Sequence, residues 1–124
     1  MANVLVIEDN KTLNHAYKLI LQKEGFNVRV AYNGKEGLEL TKLTEPSLIL
    51  LDMLMPVMNG IEFLERFKPE DHPDTTIIIL SNLNEDSEVQ KALKIGAHRY
   101  ILKASTSPQE LIKHVREATS KTGP

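Results

Sequence analysis

Five side chains in this sequence are of the types that handle phosphate and divalent metals, and each follows an apolar run. Glu8 and Asp9 follow Val4, Leu5, Val6 and Ile7, and Asp52 follows Leu48, Ile49, Leu50 and Leu51. Ser81 follows Ile77, Ile78, Ile79 and Leu80, and Lys103 follows Tyr100, Ile101 and Leu102. If these runs are neighbouring parallel strands, three acids, a hydroxyl and an amine meet at one edge of one sheet. Two like charges about 5 Å apart repel by roughly 3 kcal/mol at an effective dielectric of about 20, so three clustered carboxylates call for a cation. A hard divalent ion suits them: Mg²⁺ takes octahedral oxygen ligands, keeps several waters, and commonly uses one or two carboxylates plus phosphate oxygens. A lysine beside such a site is a point charge for an anion, and a serine hydroxyl can bond an oxyanion. Pro56 and Gly60 suit a stiff loop that holds the backbone carbonyl of Leu54 toward a metal. Taken singly, each residue has a plainer reading. Glu8 and Asp9 can be solvated acids opening a loop, Lys103 a strand-end lysine with its stem on apolar surface, and Ser81 a turn residue.

The elements that must position these groups are legible in the hydrophobic pattern. The runs 4–7, 48–51 and 77–80 are nearly continuous in Val, Ile and Leu, the habit of parallel strands buried on both faces. The run 100–102 is shorter, and 27–31 alternates polar and apolar, as an edge strand does. Between them lie segments of helical period. Leu13, Ala16, Tyr17, Ile20 and Leu21 mark a first helix stopped at Gly25. Asn33 caps a second helix from Gly34 to about Leu43, with Glu36 in the capping-box position. Ile61, Leu64 and Phe67 mark a third, ending before Pro69, and Asp86, Val89, Ala92 and Leu93 a fourth, stopping at Gly96. Ser107 followed by Pro108 opens a fifth through Leu111, Ile112, Val115 and Ala118. Five alternations of strand and helix predict an α/β domain with a parallel sheet. With right-handed crossovers the order is 2-1-3-4-5, the flavodoxin-like doubly wound arrangement, whose ligands bind outside the carboxyl ends of strands 1 and 3.

Bulk properties exclude several classes. The 15 basic and 17 acidic residues leave a net charge of −2, no field that would recruit nucleic acid or an anionic membrane. There is no cysteine, hence no disulfide framework or thiolate metal site. No apolar stretch approaches the roughly 20 residues that span a bilayer, and the first residues lack a signal-peptide pattern; a cytoplasmic location is the expectation. The 124 residues are expected to form one domain, 1–124, with a core over about 4–119 and a loose tail over 120–124. His15, His72, His98 and His114 show no metal-ligand spacing.

The conjunction of these motifs resembles the receiver domain of bacterial two-component response regulators, of the single-domain kind found in chemotaxis. The resemblance covers residues 4–119 and rests on Glu8, Asp9 and Asn10 after the first strand, Asp52 through Pro56 with Gly60, Ser81, and the stretch from Gly96 to Lys103. It implies that Asp52 accepts a phosphoryl group from the phosphohistidine of a histidine kinase or phosphotransfer protein. It also implies that Glu8, Asp9, Asp52 and the Leu54 carbonyl hold Mg²⁺, and that Lys103 neutralises the phosphoryl oxygens. Ser81 would hydrogen-bond the phosphoryl group and shift, with Tyr100 moving between rotamers as the readout. The implied output is a face made of helix 4, strand 5 and helix 5, which would bind a downstream protein target, as a monomer or a phosphorylation-promoted dimer. Neither direct nucleic-acid binding nor a membrane is implied, and the chain would be a switch or phosphorelay intermediate rather than a turnover enzyme.

Four positions make three departures from the family pattern. Ala104 follows the lysine where proline joined through a cis bond is usual; a cis bond before a non-proline costs about 3 kcal/mol, so this peptide is trans or its loop stores strain. Asn82 replaces a small residue after Ser81, partly crowding the phosphoryl entrance. Leu54 and Leu83, two beyond Asp52 and Ser81, are apolar where relatives can orient a hydrolytic water, so slow self-dephosphorylation is expected. Two other readings stay open: a pseudo-receiver that binds partners without phosphorylation, and a Mg²⁺-dependent phosphatase with Asp52 as nucleophile. The phosphatase would want a second acid two residues on, where Leu54 stands.

Overall fold

The computed structural model describes residues 2–82 and 86–120. Strand and helix alternate as β1 (Asn3–Ile7), α1 (Lys11–Lys23), β2 (Asn27–Ala31), α2 (Gly34–Leu43), β3 (Leu48–Asp52), α3 (Gly60–Phe67), β4 (Thr76–Ser81), α4 (Asp86–Ile95), β5 (Arg99–Leu102) and α5 (Pro108–Thr119). A short 3-10 turn, Pro69–Asp71, precedes β4. The strands form one parallel sheet in the order β2-β1-β3-β4-β5, the flavodoxin-like topology anticipated from the alternation. Every residue of β3 and β4 is buried, which is why those runs carry no polar alternation. In β2, at the sheet edge, burial alternates with the sequence. Among the described residues no helix is long and apolar enough to cross a membrane. Leu83 and residues 121–124 of the expected tail lie outside the described residues.

The period-2 geometry of the strands sends alternate side chains into two cores. Val4, Val6, Leu48, Leu50, Ile78 and Leu80 pack with Tyr17 and Leu21 of α1 and with Leu111 and Val115 of α5. Leu5, Ile7, Ile49, Leu51, Ile77 and Ile79 pack with Phe63 and Phe67 of α3 and with Val89 and Ala92 of α4. Each fully buried Leu, Ile or Phe contributes about 1.5–3 kcal/mol relative to exposure, so the central strands are the best-anchored part of the molecule. Their carboxyl ends inherit that rigidity.

Helix starts are fixed where the strands end. Asn10 Oδ1 accepts from Leu13 N at 3.0 Å to open α1, and Asn33 Oδ1 accepts from Glu36 N at 2.9 Å to open α2. Asn59 and Glu62 form a reciprocal capping box at α3, as do Ser107 and Glu110 at α5, where Pro108 takes the first turn. The Ser107 bonds hold the exposed Glu110 carboxyl below its ordinary range. Gly25 and Gly96, at φ 94° and 143°, end α1 and α4 in conformations that favour glycine.

The loop from β3 to α3 is tight. Met58 N donates to Pro56 O at 2.7 Å across Val57, which is held at φ 68°, an uncommon conformation for a β-branched residue. Gly60 then packs against the end of β3. A Cβ there would stand 2.7 Å from the Asp52 carbonyl oxygen and 3.0 Å from Met53 Cα. Both neighbours are backbone and cannot swing aside, so Gly60→Ala is expected to lower stability by about 2 kcal/mol in urea unfolding. An unchanged midpoint would show that α3 can slide without disturbing β3. The residue read from sequence as part of a stiff loop is thus also a spacer beneath Asp52.

Candidate functional site

Register decides which residues meet. Ile7 stands beside Leu51, Asp52 beside Leu80, and Ser81 beside Leu102. Glu8, Asp9, Asp52, Ser81 and Lys103 therefore lie along one carboxyl edge of the sheet. One carboxylate oxygen from each of Glu8, Asp9 and Asp52 falls within 4.8 Å of the others. Glu8 and Asp52 are buried, at 0% and 2% exposure, while Asp9 is exposed and forms the open side.

Lys103 supplies the cation that the acids require. Its Nζ lies 2.7 Å from Glu8 Oε1 and 2.8 Å from Asp52 Oδ1. The backbone aims it: Lys103 N donates to Ser81 O at 2.8 Å, extending the β4–β5 pairing by one residue. Beyond it, Leu102 O accepts from Ser105 N, Thr106 N and Thr106 Oγ1 at 3.3, 3.1 and 2.6 Å. Those bonds close the loop at Ala104 without proline. No peptide among the described residues is cis, so the Lys103–Ala104 bond is trans.

Burial penalises the charged form of Asp52 and, with Glu8 nearby, pushes its carboxyl up to about 7; Lys103 opposes the rise without cancelling it. Burial would lower the Lys103 pKa, but its contacts with Asp52 and Glu8 outweigh that and raise it. Lys103 is thus a firmly charged ammonium. Tyr17, buried on α1 with Glu8 and Asp52 in its field, has its phenol pushed up to about 12 by burial first and by Glu8 second. It remains neutral.

An all-oxygen donor set with net negative charge fits a hard divalent cation. Both Glu8 oxygens are already held, Oε1 by Lys103 at 2.7 Å and Oε2 by Asn10 N at 2.9 Å. Glu8 would therefore join such a cation by sharing an oxygen with Lys103 or Asn10, beside Asp9 and Asp52.

The remaining residues sit further out. The Ser81 side chain is buried at the end of β4, where its hydroxyl donates to Asn82 O at 2.8 Å. Asn82 itself is exposed. Leu54 and Val57 are 58% and 74% exposed at the rim. Tyr100 stands on edge strand β5 at 46% exposure, turned outward. Beside it Arg99 Nη1 reaches His114 Nδ1 at 3.1 Å and Glu117 Oε1 at 3.2 Å, tying β5 to α5.

Two contributors have roles that motif reading does not give. Asn10 both caps α1 and donates its N–H to Glu8. Asn14 is 1% exposed, and its Nδ2 donates to Glu8 O at 2.9 Å and Ala31 O at 3.0 Å. The signal was available. Asn14 falls three and seven residues before Tyr17 and Leu21, on the buried stripe of α1, where an amide must find partners.

A family model for the response regulator receiver domain matches residues 4–116. The chain is 36% identical over 121 residues to the nitrate/nitrite response regulator protein NarL of Escherichia coli K12, covering 96% of this chain and 55% of that protein. It is 35% identical over 120 residues to the transcriptional regulatory protein YdfI of Bacillus subtilis, covering 95% and 54%. The chain thus spans about half the length of these curated relatives. Among solved structures, the CheY-like response regulator receiver domain protein of Methanospirillum hungatei superposes with a TM-score of 0.90 at 26% identity, over 98% of this chain and 95% of that one. The receiver domain of Francisella response regulator 1452 gives 0.85 at 31% identity, over 98% and 99%. With the sheet order, the acid edge and the matched span in agreement, this chain belongs to the response regulator receiver domain family.

Proposed function

We propose that this receiver domain is a phosphorylation switch in which Asp52 takes a phosphoryl group from the phosphohistidine of a histidine kinase or phosphotransfer protein. The observation that carries this reading is the placement of Asp52. It is a carboxylate 2% exposed on the end of a rigid central strand, 2.8 Å from a lysine ammonium, with two further acids against it. An oxygen of the Asp52 carboxylate attacks phosphorus in line as the P–N bond to the donor imidazole breaks. The electron pair leaves with the imidazole nitrogen, and an acyl phosphate remains on Asp52. Such a transfer asks the protein for positioning and charge neutralisation.

Lys103 stands where the phosphoryl oxygens arrive and exchanges part of its contact with Asp52 for contact with them. Glu8, Asp9, Asp52 and the Leu54 carbonyl would hold Mg²⁺, which when bound neutralises and aligns phosphoryl oxygens. Ser81 turns its hydroxyl from Asn82 O to the phosphoryl group. Tyr100 then exchanges its outward position for an inward one, and the α4, β5 and α5 face changes its affinity for a downstream protein target or a second copy. Equal target affinity of the phosphorylated and unmodified forms would rule out that output. The domain acts as a switch rather than a turnover enzyme, and apolar Leu54 and Leu83 leave hydrolysis of the acyl phosphate slow. The net charge of −2 supports protein rather than direct nucleic-acid partners for this domain, acting in the cytoplasm.

The test is intact mass after incubation with Mg²⁺ and a small phosphodonor. Wild type is expected to gain one phosphoryl group and Asp52→Asn none. No adduct with any donor would favour a pseudo-receiver, and continuous phosphate release would favour a phosphatase.

A further inference from the structure

We infer that Asn14 is a positioning residue for the metal-binding acids, acting through the backbone of Glu8; the inference deepens the proposed function and rests on the acid edge being a Mg²⁺ site. Glu8 and Ala31 immediately follow and end the neighbouring strands β1 and β2, where the sheet ladder runs out. Ala31 O accepts from Glu8 N at 3.1 Å and from Asn14 Nδ2 at 3.0 Å, and Glu8 O accepts from Asn14 Nδ2 at 2.9 Å. One carboxamide therefore clamps both strand exits to α1.

The clamp closes a circuit around Glu8. Glu8 Oε2 accepts from Asn10 N at 2.9 Å, Asn10 O accepts from Asn14 N at 2.9 Å, and Asn14 returns to Glu8 O. Backbone and side chain of Glu8 are thus held together. Its remaining oxygen meets Lys103 at 2.7 Å, so the clamp also sets where Lys103 stands between Glu8 and Asp52. Asp9, the exposed acid, leaves from the same pinned peptide. Stability alone is a poor account of the arrangement. Asn14 Oδ1 is buried with no hydrogen-bond partner among the described residues, and the desolvation cost of that oxygen offsets much of what the two donated bonds return. What the amide supplies is geometry.

The test compares Asn14→Ala with Thr75→Val. Thr75 is equally buried, and its hydroxyl donates to Pro46 O at 2.7 Å beside the opposite end of the sheet, so it controls for loss of one buried side-chain bond. Calorimetric titration with MgCl₂ alone, with no phosphodonor, is expected to show about tenfold weaker binding for Asn14→Ala, the scale seen when supports of metal ligands are removed. Thr75→Val should bind as wild type while its thermal midpoint falls. Should Asn14→Ala not fold, Asn14→Gln keeps both donors but displaces them by a methylene, and the same weakening is expected. Unchanged Mg²⁺ affinity in the folded Asn14 variant, or equal weakening in Thr75→Val, overturns the inference. Because the readout needs no phosphoryl transfer, failure of Asp52 to become phosphorylated leaves this test intact.

Discussion

Lys103→Met is expected to slow phosphorylation of Asp52 by a small phosphodonor by about 10² to 10³-fold, the scale for losing one preorganised donor to a developing anion. Methionine keeps most of the apolar stem, so the change isolates the ammonium, which sits 2.7 Å from Glu8 and 2.8 Å from Asp52. The same variant strands two buried carboxylates. Removing one member of a buried ion pair costs about 3–5 kcal/mol, and the loss should sit at the lower bound, because Asp52 can relieve it by taking a proton. The stability deficit is therefore expected to be larger at pH 8 than at pH 6. Urea unfolding at both pH values and the initial rate of adduct formation by mass check the two halves separately. A rate within a few-fold of wild type would remove Lys103 from the transfer step.

Asp52→Asn is expected to stabilise the protein at alkaline pH. The folded domain holds the Asp52 proton up to about 7, against an ordinary value of 3.8 for the unfolded chain. Between those values the unfolded chain has released the proton and the folded one has not, so stability falls as pH rises through that window and is flat above it. Asparagine has no such dependence. The variant should match wild type near pH 4 and exceed it by on the order of 2 kcal/mol at pH 8. The full shift corresponds to about 4 kcal/mol, and part is returned because Lys103 loses one of its two partners. Urea midpoints across pH 4 to 8 measure the gap. A variant no more stable than wild type at pH 8 would mean that Lys103 already keeps Asp52 ionised in the folded state. The same proton bears on function: a protonated Asp52 neither binds metal nor attacks phosphorus, so Mg²⁺ must displace it and should bind more tightly as pH rises.

The architecture was readable because its strongest determinant is a one-dimensional pattern. Leu48 through Leu51 and Ile77 through Leu80 are apolar at every position, and only burial on both faces of a sheet accounts for that. The acids were readable for the same reason, as charges abutting those runs. What pattern reading does not reach is contact between distant elements. Nothing near Gly60 in the chain announces that its missing Cβ makes room for the Asp52 carbonyl. That Lys103 bridges Glu8 as well as Asp52 depends on the position of a loop closed by Thr106 onto Leu102. Asn14 lies on an apolar stripe, and its two acceptors stand at the exits of different strands, one of them 17 residues away.

The wholly buried strands β3 and β4 have a consequence for how the molecule is made rather than how it works. Each parallel neighbour is joined through a crossover helix, so these strands cannot pair until distant parts of the chain have come together, and such sheets form slowly. Until then the segments 48–51 and 77–80 are uncharged, proline-free and rich in Ile and Leu, the composition that pairs readily with copies of itself. The insulation that shields Asp52 from water in the finished domain is thus, on the way there, its main exposure to aggregation.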